Sequence, residues 1–119
     1  MSLYLTPMNV GDVTLLEAAG RITLGESVSL LRDQIHELVD DGRTKILLKL
    51  ADVTYIDSSG IGELVTAFTT VRRRGGSLKL LKLTQRVQDV LQITKLSTVF
   101  EVFEDETKAL RSFSEVPSS

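Results

Sequence analysis

The sequence predicts an α/β domain with a mixed sheet, in the order β-β-α-β-α-β-α-β-α. Three observations lead there. Apolar residues alternate along the chain between short runs of the strand type and stripes of the helix type. The first two runs flank a tight polar turn, Gly11-Asp12, as the strands of a hairpin do. Glycines stand where the period changes, at Gly42 and at Gly75-Gly76. Strands that alternate with helices imply crossover connections and parallel pairing. The opening hairpin adds an antiparallel pair, so the sheet is mixed.

The elements follow in order. Leu3, Leu5 and Met8 precede the turn, and Val13, Leu15 and Leu16 follow it, which gives two strands within residues 3–19. Gly20 and Gly25 then bracket a short loop. Residues 26–41 form a helix by period, with Val28, Leu31, Ile35, Leu38 and Val39 on one face and Arg32, Asp33, Glu37 and Asp40 on the other. Gly42 stops it, as a glycine that tolerates positive φ commonly does. Ile46, Leu47, Leu48 and Leu50 are a compact apolar run, suited to a strand covered on both faces.

Ile61, Leu64, Val65, Phe68 and Val71 restore the helical period, which runs to about Arg74 before the glycine pair. Residues 77–83 read as a strand. Thr84 caps a short helix bearing Val87, Val90 and Leu91. Residues 99–103, VFEVF, read as the last strand, and 105–113 as a final helix with Ala109, Leu110 and Phe113 inward. No repeat or linker divides the chain. It is expected to be one domain over 1–119, with an ordered core of about 3–113 and a frayed tail at 114–119.

Composition narrows the chemistry. With 42% hydrophobic residues in 119, the chain can bury a core without staples, and it has no cysteine for disulfides, thiolate nucleophiles or thiolate metal sites. Fourteen basic and 16 acidic residues give a net charge of −2, which is not the footprint of a nucleic-acid binder. The one basic run, Arg72-Arg73-Arg74, falls at a helix end, where cations complement the helix dipole. The first residues lack the charged and apolar regions of a signal peptide, and no apolar run approaches the roughly 18 residues of a membrane span. A soluble, cytoplasmic protein is expected. His36 is the only histidine, lying beside the inward face of its helix, and there is no GxSxG, so nucleophilic catalysis has little to stand on. No metal or cofactor is expected. Gly60-Ile61-Gly62 is only a fragment of a phosphate loop, which keeps nucleotide binding as a minor alternative.

One junction carries more information. Tyr55-Ile56-Asp57-Ser58-Ser59-Gly60-Ile61-Gly62 passes from a strand into a helix, and in open α/β sheets ligands bind at such strand ends. Capping is the plainer reading, since Asp and Ser are favoured caps worth about 1 kcal/mol over alanine. Yet three candidates stand in a row where one suffices, and no Glu or Gln follows three positions later to make a capping box. Gly60 and Gly62 both fall in the first turn, each costing about 1 kcal/mol against alanine. Glycine there makes sense where another backbone comes close. A phosphate on a serine here would add about −1.5 to −2 charges, held by the helix N-terminus and opposed by Asp57. It would block a fitted surface without refolding the domain.

The segments VTYIDSSGIGELV, GRITLGES and GGSLKLLKL together resemble the STAS-domain anti-sigma-factor antagonists, over about residues 3 to 113. The resemblance implies a protein, not an enzyme, that binds an anti-sigma factor and so frees a sigma factor. That anti-sigma factor would be a GHKL-type serine kinase that phosphorylates Ser58, with a PP2C-type phosphatase to reverse it. Asp57 is then the flanking acid, and Ser59 and Gly60 complete the motif. The implied partner surface comprises Arg21, Thr23, Asp57, Ser58, Ser59, Gly60, Ile61 and Gly62, on a chain that is monomeric when free. Members of the family often carry an acid where this chain has Thr23, a change that bears on partner choice. STAS domains also serve as scaffold subunits, as lipid-transport accessory proteins and as transporter tails, which is the alternative role.

Overall fold

Gly11 takes a positive φ of 63° and turns the first strand, β1 (Leu3–Val10), back on the second, β2 (Val13–Ile22), as an antiparallel pair. The computed structural model describes residues 2–114. Every later pairing is parallel. β3 (Lys45–Ile56) lies beside β2, β4 (Ser77–Leu81) beside β3, and β5 (Val102–Phe103) beside β4, so the five strands run in the order 1-2-3-4-5. The crossovers are α1 (Glu26–Asp40), α2 (Ser58–Arg73) and α3 (Gln85–Ile93), and α4 (Glu106–Ser112) closes the chain. The mixed sheet with four helices agrees with the expected order of elements.

The helices sit where their apolar stripes require. Val28, Leu31, Ile35, Leu38 and Val39 of α1 join Ile61, Leu64 and Val71 of α2 and Val87 and Leu91 of α3 over one face of the sheet. That face contributes Leu16, Ile22, Ile46, Leu48, Leu50, Ile56 and Leu80. On the opposite face Ala109 of α4, with Leu110 and Phe113, covers Val13, Leu15, Leu47 and Leu81. The first half of β3 is therefore buried on both sides, as its unbroken apolar run requires.

Helix ends follow one rule three times. After α1, the Gly42 N–H donates to Val39 O (3.0 Å) and the Arg43 N–H to Leu38 O (2.8 Å). After α2, the Gly75 and Gly76 N–H groups donate to Arg72 O and Val71 O, each at 3.0 Å. These paired bonds satisfy carbonyls that the helix leaves open and need a left-handed residue at the first position. After α3 that residue is Lys95, at φ 61°, so the motif forms there without the usual glycine.

Three boundaries differ from the expected ones. β2 runs on through Gly20, Arg21 and Ile22 rather than giving way to a loop at Gly20, because Ile22 is fully buried and pairs with Ile56. A register shift between Gly20 and Arg21 absorbs the bend. β4 stops at Leu81, where Lys82 turns to a φ of 54°. The last strand is only Val102–Phe103. Phe100 leaves the edge to pack edge-to-face on Phe68, with ring centroids 5.4 Å apart, and Val99 packs against the same core. In the expected frayed tail, Ser114 is held by its N–H and Oγ to Arg111 O (3.0 and 2.9 Å), and residues 115–119 lie outside the described residues.

The second half of β3 extends beyond its neighbour, since β4 pairs only with Lys45–Lys49. The start of α3 fills the gap. Thr84 Oγ1 donates to the Val53 carbonyl at 2.9 Å and accepts from the Val87 N–H at 3.3 Å, so one hydroxyl caps the helix and fastens it to the strand. Thr84→Val is expected to lose about 1–2 kcal/mol in urea unfolding, and Thr84→Ser to recover most of it. An unchanged urea midpoint in the valine variant would refute this role.

Candidate functional site

The candidate site begins where β3 ends. Asp57 is extended at φ −108° and ψ −175°, and is the N-cap of α2. Its Oδ1 accepts from the Gly60 N–H at 2.8 Å, and its Oδ2 accepts from the Leu24 N–H at 3.1 Å. One carboxylate thus closes the helix start and pins the loop between β2 and α1 against it. Burial pushes this carboxyl's pKa up, but N–H groups of Gly60, Leu24, Ser59 and Asp57 itself outweigh that, and the group sits below the ordinary aspartate value.

The pinned loop is closed at its other end by Ser27, which is buried. Ser27 Oγ accepts from the Thr23 N–H and donates to the Thr23 carbonyl, each at 2.8 Å. Thr23 is therefore placed through its backbone, with its side chain half-buried. Leu24, between these two anchors, is 78% exposed. It was not among the residues the sequence singled out, although an apolar residue inside the loop GRITLG was the available signal.

The three capping candidates now separate. Asp57 takes the cap. Ser58 is exposed and Ser59 half-exposed in the first turn, and neither hydroxyl makes a hydrogen bond among the described residues. The two glycines separate as well. A Cβ at Gly60 would collide with the Ile22 carbonyl and the Ile56 side chain, so glycine is required there by the fold. A Cβ at Gly62 would meet nothing within 4 Å, and the residue is exposed. The structure gives no internal reason for glycine at 62. Ile61, between them, is 3% exposed and faces the core, so this expected partner-surface residue offers a partner almost no area.

Arg21, next to last in β2, pairs with Tyr55 across the ladder and sets its guanidinium 4.8 Å from that ring's centroid. Arg21, Thr23 and Asp57–Gly62 thus all gather at the carboxyl end of the parallel strands. Two other groups weighed from the sequence do not. His36 is exposed and lies with Thr70, Arg73 and Arg74 at the far end of α2, roughly 18 Å along the helix from Ser58. It does not approach the serine. Within the arginine run, Arg74 pairs with Asp40 at 3.0 Å, and Arg72 lies over Phe68. Among the described residues no helix is long and apolar enough to cross a membrane.

Sequence comparison decides the family: the STAS domain model matches residues 6–109. The chain is a STAS domain. The Bacillus subtilis anti-sigma-B factor antagonist is 36% identical over 94 residues, covering 79% of this chain and 84% of that one. A Thermotoga maritima protein provisionally assigned as an anti-sigma factor antagonist has a crystal structure that superposes on this STAS domain with a TM-score of 0.85, at 25% identity, covering 93% of this chain and 95% of that one. The anti-sigma factor antagonist SpoIIAA, solved unphosphorylated and phosphorylated, shares the fold at TM-scores of 0.70 and 0.71, with 19% and 20% identity. The unphosphorylated form covers 97% of this chain and 100% of its own, and the phosphorylated form 93% and 98%.

Two expectations follow from the geometry. Gly60→Ala should destabilise the STAS domain by several kcal/mol or prevent folding, whereas Gly62→Ala should stabilise it by about 0.5–1 kcal/mol, both read by chemical unfolding. Equal effects at the two positions would contradict the separation. Asp57 has a lowered folded-state pKa, so its stabilising effect is full above the unfolded carboxylate value and is lost as pH falls through the folded one. The stability gap between wild type and Asp57→Ala is therefore expected to hold constant above about pH 5 and to shrink below about pH 4. A gap that persists at lower pH would show that the carboxylate charge is not what matters.

Proposed function

We propose that this STAS domain is an anti-sigma-factor antagonist whose partner binding is switched by phosphate on Ser58. The observation that carries the reading is the division of labour at the start of α2. Asp57 satisfies the cap, which leaves the adjacent Ser58 hydroxyl exposed and unused by the fold. A kinase can take such a hydroxyl without breaking any bond that holds the domain. Kinship with the Bacillus subtilis anti-sigma-B factor antagonist supports the role. SpoIIAA in its two forms matches this fold almost equally, at 0.70 and 0.71, as expected when a phosphate leaves the fold in place.

The physics of the switch is local. A phosphoserine in the first turn of a 16-residue helix adds about −1.5 to −2 charges close to the positive end of the helix dipole. The fold therefore tolerates it. Asp57 already occupies the Gly60 and Leu24 N–H groups, so the new charge is left facing outward. The surface it interrupts is made of exposed Leu24, half-buried Thr23 and Arg21, Ser58, Ser59 and Gly62. Leu24 supplies an apolar anchor and Gly62 a place where a partner's backbone can come near. The partner is an anti-sigma factor with GHKL-type serine kinase activity, a PP2C-type phosphatase restores the free hydroxyl, and the protein acts in the cytoplasm as a monomeric binding module rather than an enzyme. Thr23, in place of an acid, tunes which anti-sigma factor is accepted.

The test is to incubate the protein with candidate anti-sigma kinases and ATP and to follow intact mass and binding together. One phosphate is expected, absent in Ser58→Ala. Ser58→Asp is expected to weaken binding by tenfold or more, through like-charge and desolvation penalties at a fitted interface. Phosphate on Ser59 instead, or full-strength binding by Ser58→Asp, would overturn the reading.

A further inference from the structure

Two arginines from different elements converge on one aromatic ring near Ser58. The Arg86 guanidinium lies 4.3 Å from the centroid of Tyr55, and that of Arg21 lies 4.8 Å from the same point. Neither approach is accidental to a mobile side chain's backbone. Arg21 is in β2, directly paired with Tyr55, and Arg86 is in the first turn of α3, whose cap is fastened to Val53. Tyr55 stands two residues before Asp57, and Arg21 two before Thr23, so the cluster adjoins the phosphoacceptor end of the sheet.

The fold does not account for the second cation. Tyr55 is half-buried; one guanidinium over such a ring is worth about 0.5–1 kcal/mol or somewhat more, and a like charge brought to the same ring opposes it. Two other arginines of this chain meet carboxylates, Arg32 with Glu63 and Arg74 with Asp40, each at 3.0 Å, whereas Arg72 lies alone over the Phe68 ring. Arg86 is exposed and pairs with no carboxylate among the described residues. The nearby acids have other work. Asp57 binds the Gly60 and Leu24 N–H groups, and Asp89 accepts from Gln85 Nε2 at 2.7 Å. Arg86 thus offers a cation that no carboxylate of the described residues neutralises, on a chain of net charge −2. A guanidinium held against a ring is engaged through its face, which leaves its in-plane N–H donors suited to a carboxylate.

We propose that Arg86, with Tyr55 and Arg21, is a docking point for a carboxylate side chain of the partner protein. This rests on the antagonist reading above and extends its interface from α2 across the ends of β2 and β3 onto α3. Arginine and tyrosine are the residue types that concentrate binding energy at protein interfaces. A positive contact there also gives the phosphate switch a counterpart: charge on Ser58 repels an acidic partner surface that Arg86 attracts.

The experiment uses the anti-sigma factor that binds the unphosphorylated wild type, with full-length Arg86→Ala, Arg86→Glu and Arg86→Lys, at low and high salt. Affinity is expected to fall about tenfold for alanine and further for glutamate, mostly through slower association, with a weaker salt dependence than wild type. Lysine should recover only part, because it lacks the planar fork. Melting temperatures should stay within a degree or two of wild type, since Arg86 is an exposed residue away from the core. Wild-type affinity in Arg86→Glu overturns this inference and leaves the Ser58 reading intact. A loss of binding matched by a loss of folding stability also overturns it, by assigning Arg86 a structural role. Failure of the wild type to bind any anti-sigma factor overturns both.

Discussion

The Asp57 carboxylate is the constraint on which the candidate site depends. One oxygen completes the start of α2, and the other holds the backbone of Leu24, thirty-three residues earlier in the chain. Without the first bond the helix N-terminus is open. Without the second, the loop keeps its bonds at Ser27, but the backbone of Leu24 loses its side-chain tie to the start of α2. Because the two acceptors belong to one rigid group, the helix start and the loop keep a fixed relation. The neighbouring serine is thereby freed from structural duty. A residue that is modified must be one whose loss of hydrogen bonding the fold does not notice.

The sheet beneath places this arrangement by an inequality of strand lengths. β3 has 12 residues and β4 only five, so the carboxyl half of β3 reaches past its neighbour. The amino half is packed on both faces and belongs to the core. The carboxyl half is held by β2 on one side and by Thr84 on the other; Val53 and Ile56 keep one of its faces in the core, and the chain then passes to Asp57 and the exposed Ser58. Core strand and site are successive stretches of one run of chain, so the buried strand sets the position of the residues that follow it.

Much of this was legible in the sequence because it follows from period. The stripes of α1 and α2, the buried run at Ile46–Leu50 and the stops at Gly42 and Gly75 come directly from the spacing of apolar residues and glycines. The site motif was legible as a junction, and resemblance to a family gave Ser58 its role. What the sequence left dark is what depends on distant partners. Gly60 and Gly62 are alike in type and both fall in the first turn, and it is contact with Ile22 and Ile56 that tells them apart. Phe100 has the composition of a strand residue, yet Phe68 draws it into the core. Arg86 lies 31 residues from Tyr55, and nothing local marks the meeting. Leu24 could have been noticed, but its pinning by Asp57 could not.

The contrast between the two glycines has an evolutionary reading. At 60 the demand comes from within, from the carbonyl and side chains that this sheet places against the helix start. At 62 the demand, on the present reading, comes from a second protein. Relatives that keep the fold and abandon the partner should therefore hold glycine at the first position and drift toward alanine or longer residues at the second. Two identical residues two positions apart would then record separate histories, one of a domain and one of an association.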